Sequence, residues 1–252
     1  MRGKRWIAPI AWLLLITAGI APDVKAQYFG RNKVRYETFH FKVLKTAHFD
    51  IYYYDKQAGI VDIVGRMAER WYSRLSGVLR HEIDGRQPII LYASHPDFEQ
   101  TNAIPEEIGE ATGGFTEAVK RRVVLPLAGP LGETDHVLGH ELVHAFQFDI
   151  TAQGSSESGY QIPGALRLPL WFIEGMAEYL TLGPVDSNTA MWIRDAAVRE
   201  SLPAIRKLDN PRYFPYRYGH AFWAYVCGSY GDVAAGRILT TAGRAGDPEQ
   251  AI

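Results

Sequence analysis

Two histidines and a glutamate stand within five consecutive residues, His140-Glu141-Leu142-Val143-His144, in the order that a hydrolytic metal site requires. In an α-helix, residues four apart lie on the same face, so the two imidazoles would point to one spot. Glu141 would lie beside that spot, where a carboxylate can accept a proton from water. The pattern therefore predicts a Zn²⁺ site with His140 and His144 as ligands and Glu141 as general base.

A second segment further along the chain supplies two more carboxylates. Residues 171–179 read Trp-Phe-Ile-Glu-Gly-Met-Ala-Glu-Tyr, and helical spacing places Glu174 and Glu178 on one face. Catalytic zinc usually has three protein ligands, so one carboxylate can complete the site. The other can hydrogen-bond a ligand imidazole. A solvated helix face is the alternative for both, and the neighbouring histidine motif favours the metal site.

Together the two motifs resemble the gluzincin branch of zinc peptidases, the broad group that contains thermolysin and the aminopeptidase N-like enzymes. More narrowly, they are similar to the bacterial extracytoplasmic peptidase MA-like domains, in which Trp-(Phe/Leu)-x-Glu-Gly-x-Ala-Glu-Tyr recurs. The resemblance includes residues 132–148 and Tyr218-Gly219-His220-Ala221-Phe222, and it spans most of residues 28–240. No Gly-Ala-Met-Glu-Asn-like exopeptidase motif stands upstream, which favours an endopeptidase.

This resemblance implies a role for each matching residue. His140, His144 and Glu174 would be the zinc ligands, and Glu141 would be the general base. Glu178 would take the place of an acid that supports a ligand histidine. Relatives often continue into a C-terminal β-propeller of the Tol type, so the chain could be part of a longer protein.

Hydrolysis at such a site also needs a hydrogen-bond donor for the oxyanion. Tyr218 and His220 are the candidates, and the resemblance favours Tyr218. Tyrosines at the start of a helix are also common packing residues, so this assignment stays open.

Residues 1–26 have the pattern of a secretory signal peptide. Arg2, Lys4 and Arg5 precede an apolar run from Ile7 to Ala21, and Val24-Lys25-Ala26 precedes Gln27. The run is shorter than the roughly 20 residues of a comfortable membrane helix, although an uncleaved anchor is the alternative. We expect an extracytoplasmic protein, periplasmic or secreted, without stable membrane insertion after cleavage.

Composition narrows the classes of partner. The 27 basic and 28 acidic residues nearly balance, which argues against nucleic acid as a ligand. The single cysteine, Cys227, excludes an intrachain disulfide and is expected to be buried. The expected partner is a peptide or protein substrate whose identity the sequence does not determine.

The order of apolar patterns predicts an α+β fold of the zincin-like kind. Residues 27–252 would form the peptidase domain, with a β/α lobe over about 27–148 and a mostly helical lobe over about 170–245. The β/α lobe would contain a small mixed sheet and the helix of the histidine motif. Because Pro126 ends an apolar run, Gly114–Leu125 is interpreted as an edge strand that binds extended substrate.

Two further segments carry expectations of their own. The segment 188–200 is expected to be a helix with Met191, Ile193 and Val198 in the core. Residues 151–169 are rich in Gly, Ser and Pro and are expected to form a mobile loop. That loop could be a lid, a substrate-selecting segment or a simple surface excursion.

Two other function classes compete with a zinc peptidase. One is a catalytically silent, zinc-bearing, peptidase-like binding module of the cell envelope. The other is a metal-free structural domain in which the histidine motif is coincidental. The complete set of ligands and base favours the enzyme over both.

Overall fold

The structure is a computed structural model that describes residue 33 and residues 35–127, 129–152 and 163–252. The expected signal peptide, residues 1–26, and the centre of the expected mobile loop lie outside the described residues. The described residues from 35 to 252 belong to one compact unit. Among the helices of the described segments, none combines the length and the apolar character needed to cross a membrane.

A five-stranded mixed sheet occupies the first half of the described chain. Its strand order is β1-β2-β3-β5-β4, so β1 and β4 are the two edges. The pairs β2–β3 and β3–β5 are parallel, whereas β1–β2 and β4–β5 are antiparallel. The strands are β1 Lys42–Lys45, β2 Phe49–Tyr53, β3 Gln87–Tyr92, β4 Phe115–Glu117 and β5 Arg122–Pro126.

Seven α-helices follow or interrupt the strands within the described residues. Together with the sheet they agree with the predicted α+β class, whereas the zincin-like part of that prediction remains a proposal. The helices are α1 Val61–Leu79, α2 His95–Glu99, α3 Leu131–Thr151, α4 Leu170–Leu182, α5 Ser187–Val198, α6 Pro215–Tyr230 and α7 Val233–Ala245.

The main core lies on one face of the sheet. Successive strand residues alternate between faces, so β3 and β5 each contribute to two clusters. Tyr92 and Val124 pack with Phe98 of α2 in a small cluster on the other face. The strand residues on the first face pack with α1, α3, α4, α6 and α7 in the main core. They are Phe49, Ile51, Ile89, Leu91, Val123 and Leu125.

Strand β5 is not an edge strand, and the prediction drawn from Pro126 is wrong. β5 lies between β3 and β4. Proline is tolerated because β4 pairs with β5 only as far as Val124, so no carbonyl of β4 requires the missing N–H. On its other side the ladder continues, since the N–H of Leu127 donates to the carbonyl of Tyr92 at 2.8 Å. Within residues 114–125, only β4 has a free edge.

Helix α5 also differs from its prediction. Met191 and Val198 are 58% and 79% exposed, so their expected place in the core is wrong, and Ile193 is only half-buried. The buried positions are occupied by Thr189 and Ala196. The spacing of apolar residues identified a helix, but the face that packs against α6 carries small side chains instead.

Helices α4 and α6 approach each other backbone to backbone at a pair of glycines. A Cβ atom on Gly175 of α4 or on Gly219 of α6 would overlap the backbone of the opposite helix. Only glycine permits an approach this close, because it has no Cβ. The crossing brings the first turn of α6 alongside the acidic face of α4.

Candidate metal centre

Three potential ligand atoms converge between α3 and α4. The Nε2 atom of His140 lies 3.0 Å from Oε2 of Glu174 and 3.2 Å from Nε2 of His144, and the remaining side of the triangle is 3.4 Å. Two ligands held at about 2.05 Å from a tetrahedral zinc ion lie about 3.3 Å apart. The three side chains could therefore hold a metal ion, and the predicted ligands are brought together.

The rotation of α3 is set by packing on the side away from the ligands. Leu138 and Leu142 are fully buried in the main core. The ring of Trp71, on α1, lies against Gly139 and leaves no room for a larger residue there. The Trp71 indole N–H also donates to Asp135 on the preceding turn at 3.0 Å. With that side fixed, the ligand side of the helix faces α4.

Each imidazole is held by its second nitrogen. His144 Nδ1 lies 2.8 Å from Oε1 of Gln147, whose amide N–H₂ donates to the carbonyl of Ile173 at 3.0 Å. Since that oxygen can only accept, Nδ1 carries a proton, and in the neutral imidazole Nε2 is then the nitrogen that can bind a metal. His140 Nδ1 lies 3.3 Å from Oε1 of Glu178. Gln147 was missed by the sequence analysis, although its place three residues after His144 is a usable signal.

Glu178 is the centre of an ionic network behind the ligands. It is buried, and its Oε2 accepts from Nη1 of Arg217 at 2.8 Å. Arg217 also reaches Asp186 at 3.4 Å, and His136 lies 3.6 Å from Glu178 Oε1. Burial opposes ionisation of Glu178, but hydrogen bonds from His136 and His140 outweigh it and hold the pKa of the carboxyl below its usual range. Glu178 thus lies behind His140, on the side where the sequence predicts an acid that supports this ligand.

Without a metal ion, the histidines and glutamates of the cluster pair as opposite charges. Burial lowers the pKa of His140, but hydrogen bonds to Glu174 and Glu178 outweigh this and raise it to about 10. Burial likewise opposes ionisation of Glu174, yet the two imidazoles hold the pKa of its carboxyl well below its usual range. A metal ion binding here must displace protons from imidazole.

Glu141 lies at the flank of the donor triangle, as its place in the motif predicts. The side chain is 6% exposed, and Oγ1 of Thr116 lies 2.8 Å from its Oε2. Thr116 belongs to the edge strand β4, so the free edge of the sheet is tied directly to the candidate base. A role for Thr116 could not be read from the sequence, because nothing in the local pattern links it to α3.

The structure does not bring Tyr218 or His220 to the cluster. Both ring nitrogens of His220 are engaged elsewhere, with Thr189 Oγ1 at 2.8 Å and the Gly183 carbonyl at 2.7 Å. The ring of Tyr218 packs against those of Tyr213 and Trp192. Both candidate oxyanion donors are therefore engaged in hydrogen bonds or ring packing away from the cluster.

Tyr216 stands where the sequence analysis placed Tyr218. Its ring lies nearly parallel to that of His140, with centroids 6.0 Å apart, and its hydroxyl is close enough to the Glu174 carboxylate to be affected by its charge. Burial and the Glu174 carboxylate raise the pKa of Tyr216 well above its ordinary value, so the hydroxyl remains a donor. Two residues correspond to about 200° around a helix, which is why Tyr216 and Tyr218 face opposite ways.

Two cavities meet at His140, Glu141 and Tyr216. The larger, of about 700 Å³, is lined by charged side chains that include Glu178 and Arg217. The smaller, of about 310 Å³, extends past His144 and Glu174 to apolar walls. The donor triangle and the candidate base are thus open to a ligand on two sides.

No family model matches the chain, and no curated protein matches it significantly. A function must therefore be inferred from the site itself.

Proposed function

We propose that this protein is a zinc-dependent metallopeptidase that cleaves internal peptide bonds. The observation that carries the proposal is the triangle of donor atoms from His140, His144 and Glu174, with Glu141 at its flank. Two imidazoles and one carboxylate are a typical donor set for catalytic zinc, and the spacing of the atoms fits its tetrahedral geometry. The proposal includes an extracytoplasmic location, which rests on residues 1–26.

The chain's own residues would divide the chemistry between them. A zinc ion held there supplies Lewis acidity, which polarises a carbonyl and lowers the pKa of water towards neutrality. Glu141 accepts a proton from the attacking water at Oε2 and passes it to the leaving amine. Thr116 holds that carboxylate in place. The hydroxyl of Tyr216, which stays protonated, donates to the oxygen that becomes negative in the transition state.

The edge strand supports a polypeptide as the substrate. Among the described residues no strand pairs with one side of β4, and β4 carries the threonine that contacts Glu141. An extended peptide can pair with such an edge through its backbone, which would bring a peptide carbonyl beside the base. The substrate edge predicted for Gly114–Leu125 is accordingly proposed for β4 alone.

Zinc content and hydrolysis measured on the same preparations would test the proposal. We expect equimolar zinc in the wild type and hydrolysis of an unstructured protein such as casein. Glu174→Ala should lose the metal, because one of the three ligands is gone. Glu141→Gln should keep the metal but lose about 10²–10⁴-fold in rate. Glu133→Gln, on the exposed first turn of the same helix, is the matched control and should retain both properties.

The outcomes separate the alternatives. Equimolar zinc without hydrolysis of any protein or peptide would favour the zinc-bearing binding module. A wild type that binds no zinc would overturn both that reading and the peptidase.

A further inference from the structure

Strand β4, which carries Thr116, has little apolar packing to hold it in place. It has three residues, and none of their side chains is fully buried. In the turn to β5, residues 118–121, Val119 is 52% exposed. Segments with few buried apolar contacts are the ones that open most easily, so the position of this hairpin depends on polar contacts.

Two such contacts join the hairpin to α3. At one, Oγ1 of Thr116 lies 2.8 Å from both the carbonyl oxygen and Oε2 of Glu141. At the other, the guanidinium of Arg121, the last residue of the turn, forms an ion pair with Asp149 in the last turn of α3. Glu141 and Asp149 are about 12 Å apart along the helix. Two contacts so far apart fix the inclination of the hairpin to the helix as well as its distance.

The ion pair belongs to an anchor cluster formed by His81, Arg121 and Asp149. The Asp149 side chain is only 9% exposed, and its Oδ2 lies 2.6 Å from Nε2 of His81, which follows α1. Burial and the charge of Arg121 lower the pKa of His81, so the ring is neutral at pH 7 and its Nε2–H donates to Asp149. Removal of Arg121 would therefore leave the buried carboxylate without its cation.

The backbone of Arg121 is held as well. Its φ of 53° lies in the left-handed region, which few residues other than glycine adopt unless their surroundings impose it. Its carbonyl accepts a hydrogen bond from the side-chain amide of Gln87, a buried residue of β3. Arg121 thus connects the centre of the sheet, the hairpin and the end of α3.

The spacing between β4 and α3 matters because the candidate chemistry lies between them. The cavity of about 310 Å³ is lined by residues 114–116 and, from α3, by residues that include Glu141 and Phe148. A polypeptide paired with the free edge of β4 would bring its carbonyl to Glu141 there. A misplacement of about 1 Å between substrate and base can cost about 10²-fold in rate.

We propose, resting on the peptidase function above, that Arg121 and Asp149 are positioning residues whose ion pair fixes β4 against α3 and thereby holds Thr116 on Glu141. Neither residue lines the two cavities at the centre, so both act on the base through Thr116. Their loss should lower kcat and leave zinc content unchanged.

Steady-state kinetics of variants in the turn would test this inference. Arg121→Met, which removes the charge, should lower kcat by about tenfold. Arg121→Lys should stay within about threefold of wild type, because the pair is made by Nη2 and not by a two-pronged contact, so an ammonium can replace it. Lys120→Met, the same change at the exposed neighbouring residue, is the matched control and should leave kcat unchanged.

Combination with Thr116→Val separates positioning from a general loss of stability. Thr116→Val should itself lower kcat by about tenfold, because Glu141 loses its contact. Adding Arg121→Met should then lower kcat by less than about twofold more, since two changes that act through one contact are not additive. A further tenfold loss in the double variant, or wild-type kcat in Arg121→Met, would overturn the proposal.

Hydrogen exchange supplies an arm that does not depend on turnover. In Arg121→Met, the backbone amides of residues 115–122 should exchange about tenfold faster, whereas those of α6 should exchange as in wild type. Unchanged exchange in the hairpin, or faster exchange throughout the protein, would overturn the proposal. If the wild type hydrolyses no peptide, the peptidase function fails, and faster exchange confined to the hairpin still supports the anchoring of β4 by the ion pair.

Discussion

Neither histidine of the candidate centre is free to rotate, because each is held at Nδ1 while its Nε2 faces the donor triangle. Gln147 holds His144 and Glu178 holds His140. Groups that orient metal ligands in this way also increase their basicity, and removing one typically costs about 10–100-fold in metal affinity or activity. Gln147 and Glu178 would not touch the metal themselves, but they orient the side chains that would.

Tyr216→Phe tests the assignment of the oxyanion donor. We expect kcat to fall by about 10²-fold with zinc content unchanged, because the variant loses one preorganised hydrogen bond. Tyr218→Phe, two residues away and turned towards Tyr213 and Trp192, should stay within about twofold of wild type. Steady-state kinetics and zinc analysis of both variants give the comparison. A larger loss from Tyr218→Phe would return the role to that residue.

Zinc binding should release protons at neutral pH. Burial lowers the pKa of His140, but its carboxylate partners raise it to about 10, so the metal-free protein carries a proton there. Zinc needs the neutral imidazole, and its affinity should therefore increase as pH rises from 7 towards 10. Calorimetry at pH 7 in two buffers with different ionisation enthalpies would measure the release. Equal binding enthalpies in the two buffers would contradict it.

Whereas higher pH should strengthen zinc binding at His140, it should weaken the stability of the metal-free fold. The pKa of His140 is about 10 in the folded protein and about 6.5 in an unfolded chain. Its stabilising contribution is then fully present below about pH 6.5 and is lost as pH rises through 10. Chelator-treated protein should accordingly unfold more easily at pH 10 than at pH 6.5, as urea titrations at the two values would show. Unchanged stability between them would rule out this charge pairing.

At the scale of elements, the crossing of α4 and α6 decides which side chains reach the ligands. Gly175 and Gly219 allow the two backbones to touch, and that contact places the first turn of α6 against α4. Tyr216 and Arg217 reach Glu174 and Glu178 for this reason. Packing thus explains Gly175 of the acidic motif and Gly219 of the later segment 218–222.

A pair of substitutions in α6 tests this crossing. Gly219→Ala should lower the free energy of unfolding by about 1–3 kcal/mol or more, because the added methyl group overlaps α4. Gly228→Ala, in the same helix with open space around it, should raise it by up to about 1 kcal/mol. Urea denaturation of both variants provides the numbers. Equal effects from the two changes would mean that the helices do not touch at Gly219.

At the scale of the whole molecule, the candidate centre joins α3, which packs on the sheet and on α1, to α4, which packs on α6. Its ligands come from both helices, so a metal ion bound there would connect two parts of the fold. Binding of this kind stabilises the folded chain, because the unfolded chain does not assemble the site.

Zinc should therefore raise the global stability of the protein. At free zinc equal to about one hundred times Kd, the expected gain in unfolding free energy is about 2.7 kcal/mol. Thermal unfolding with and without a chelator would show it as a lower Tm after metal removal. The shift should be absent in Glu174→Ala and intact in Glu133→Ala. A chelator effect that persists in Glu174→Ala would place the stabilising metal elsewhere.

Local sequence patterns predicted helices correctly where the helical spacing repeats over several turns. The helical spacing of residues 171–179 agrees with α4, and the helix expected over 188–200 agrees with α5, because successive turns repeat the same pattern. Prediction failed where a residue's effect depends on its neighbours in space. Pro126 lies in an internal strand because its neighbour β4 is short. Met191 and Val198 are exposed because their side of α5 is not covered.

By itself, the sequence determined the residue types and spacing of a metal site: His140 and His144 one turn apart, Glu141 between them, and Glu174 and Glu178 on a second helix. Such spacings are local, and helical geometry converts them directly into a shared face. Only the tertiary structure decided that Glu174 meets the two histidines and that Tyr216, not Tyr218, lies against His140. It also placed Gln147, Thr116 and Arg217 in support. These contacts join residues far apart in the chain, and they depend on helix crossings and rotations that no local pattern specifies.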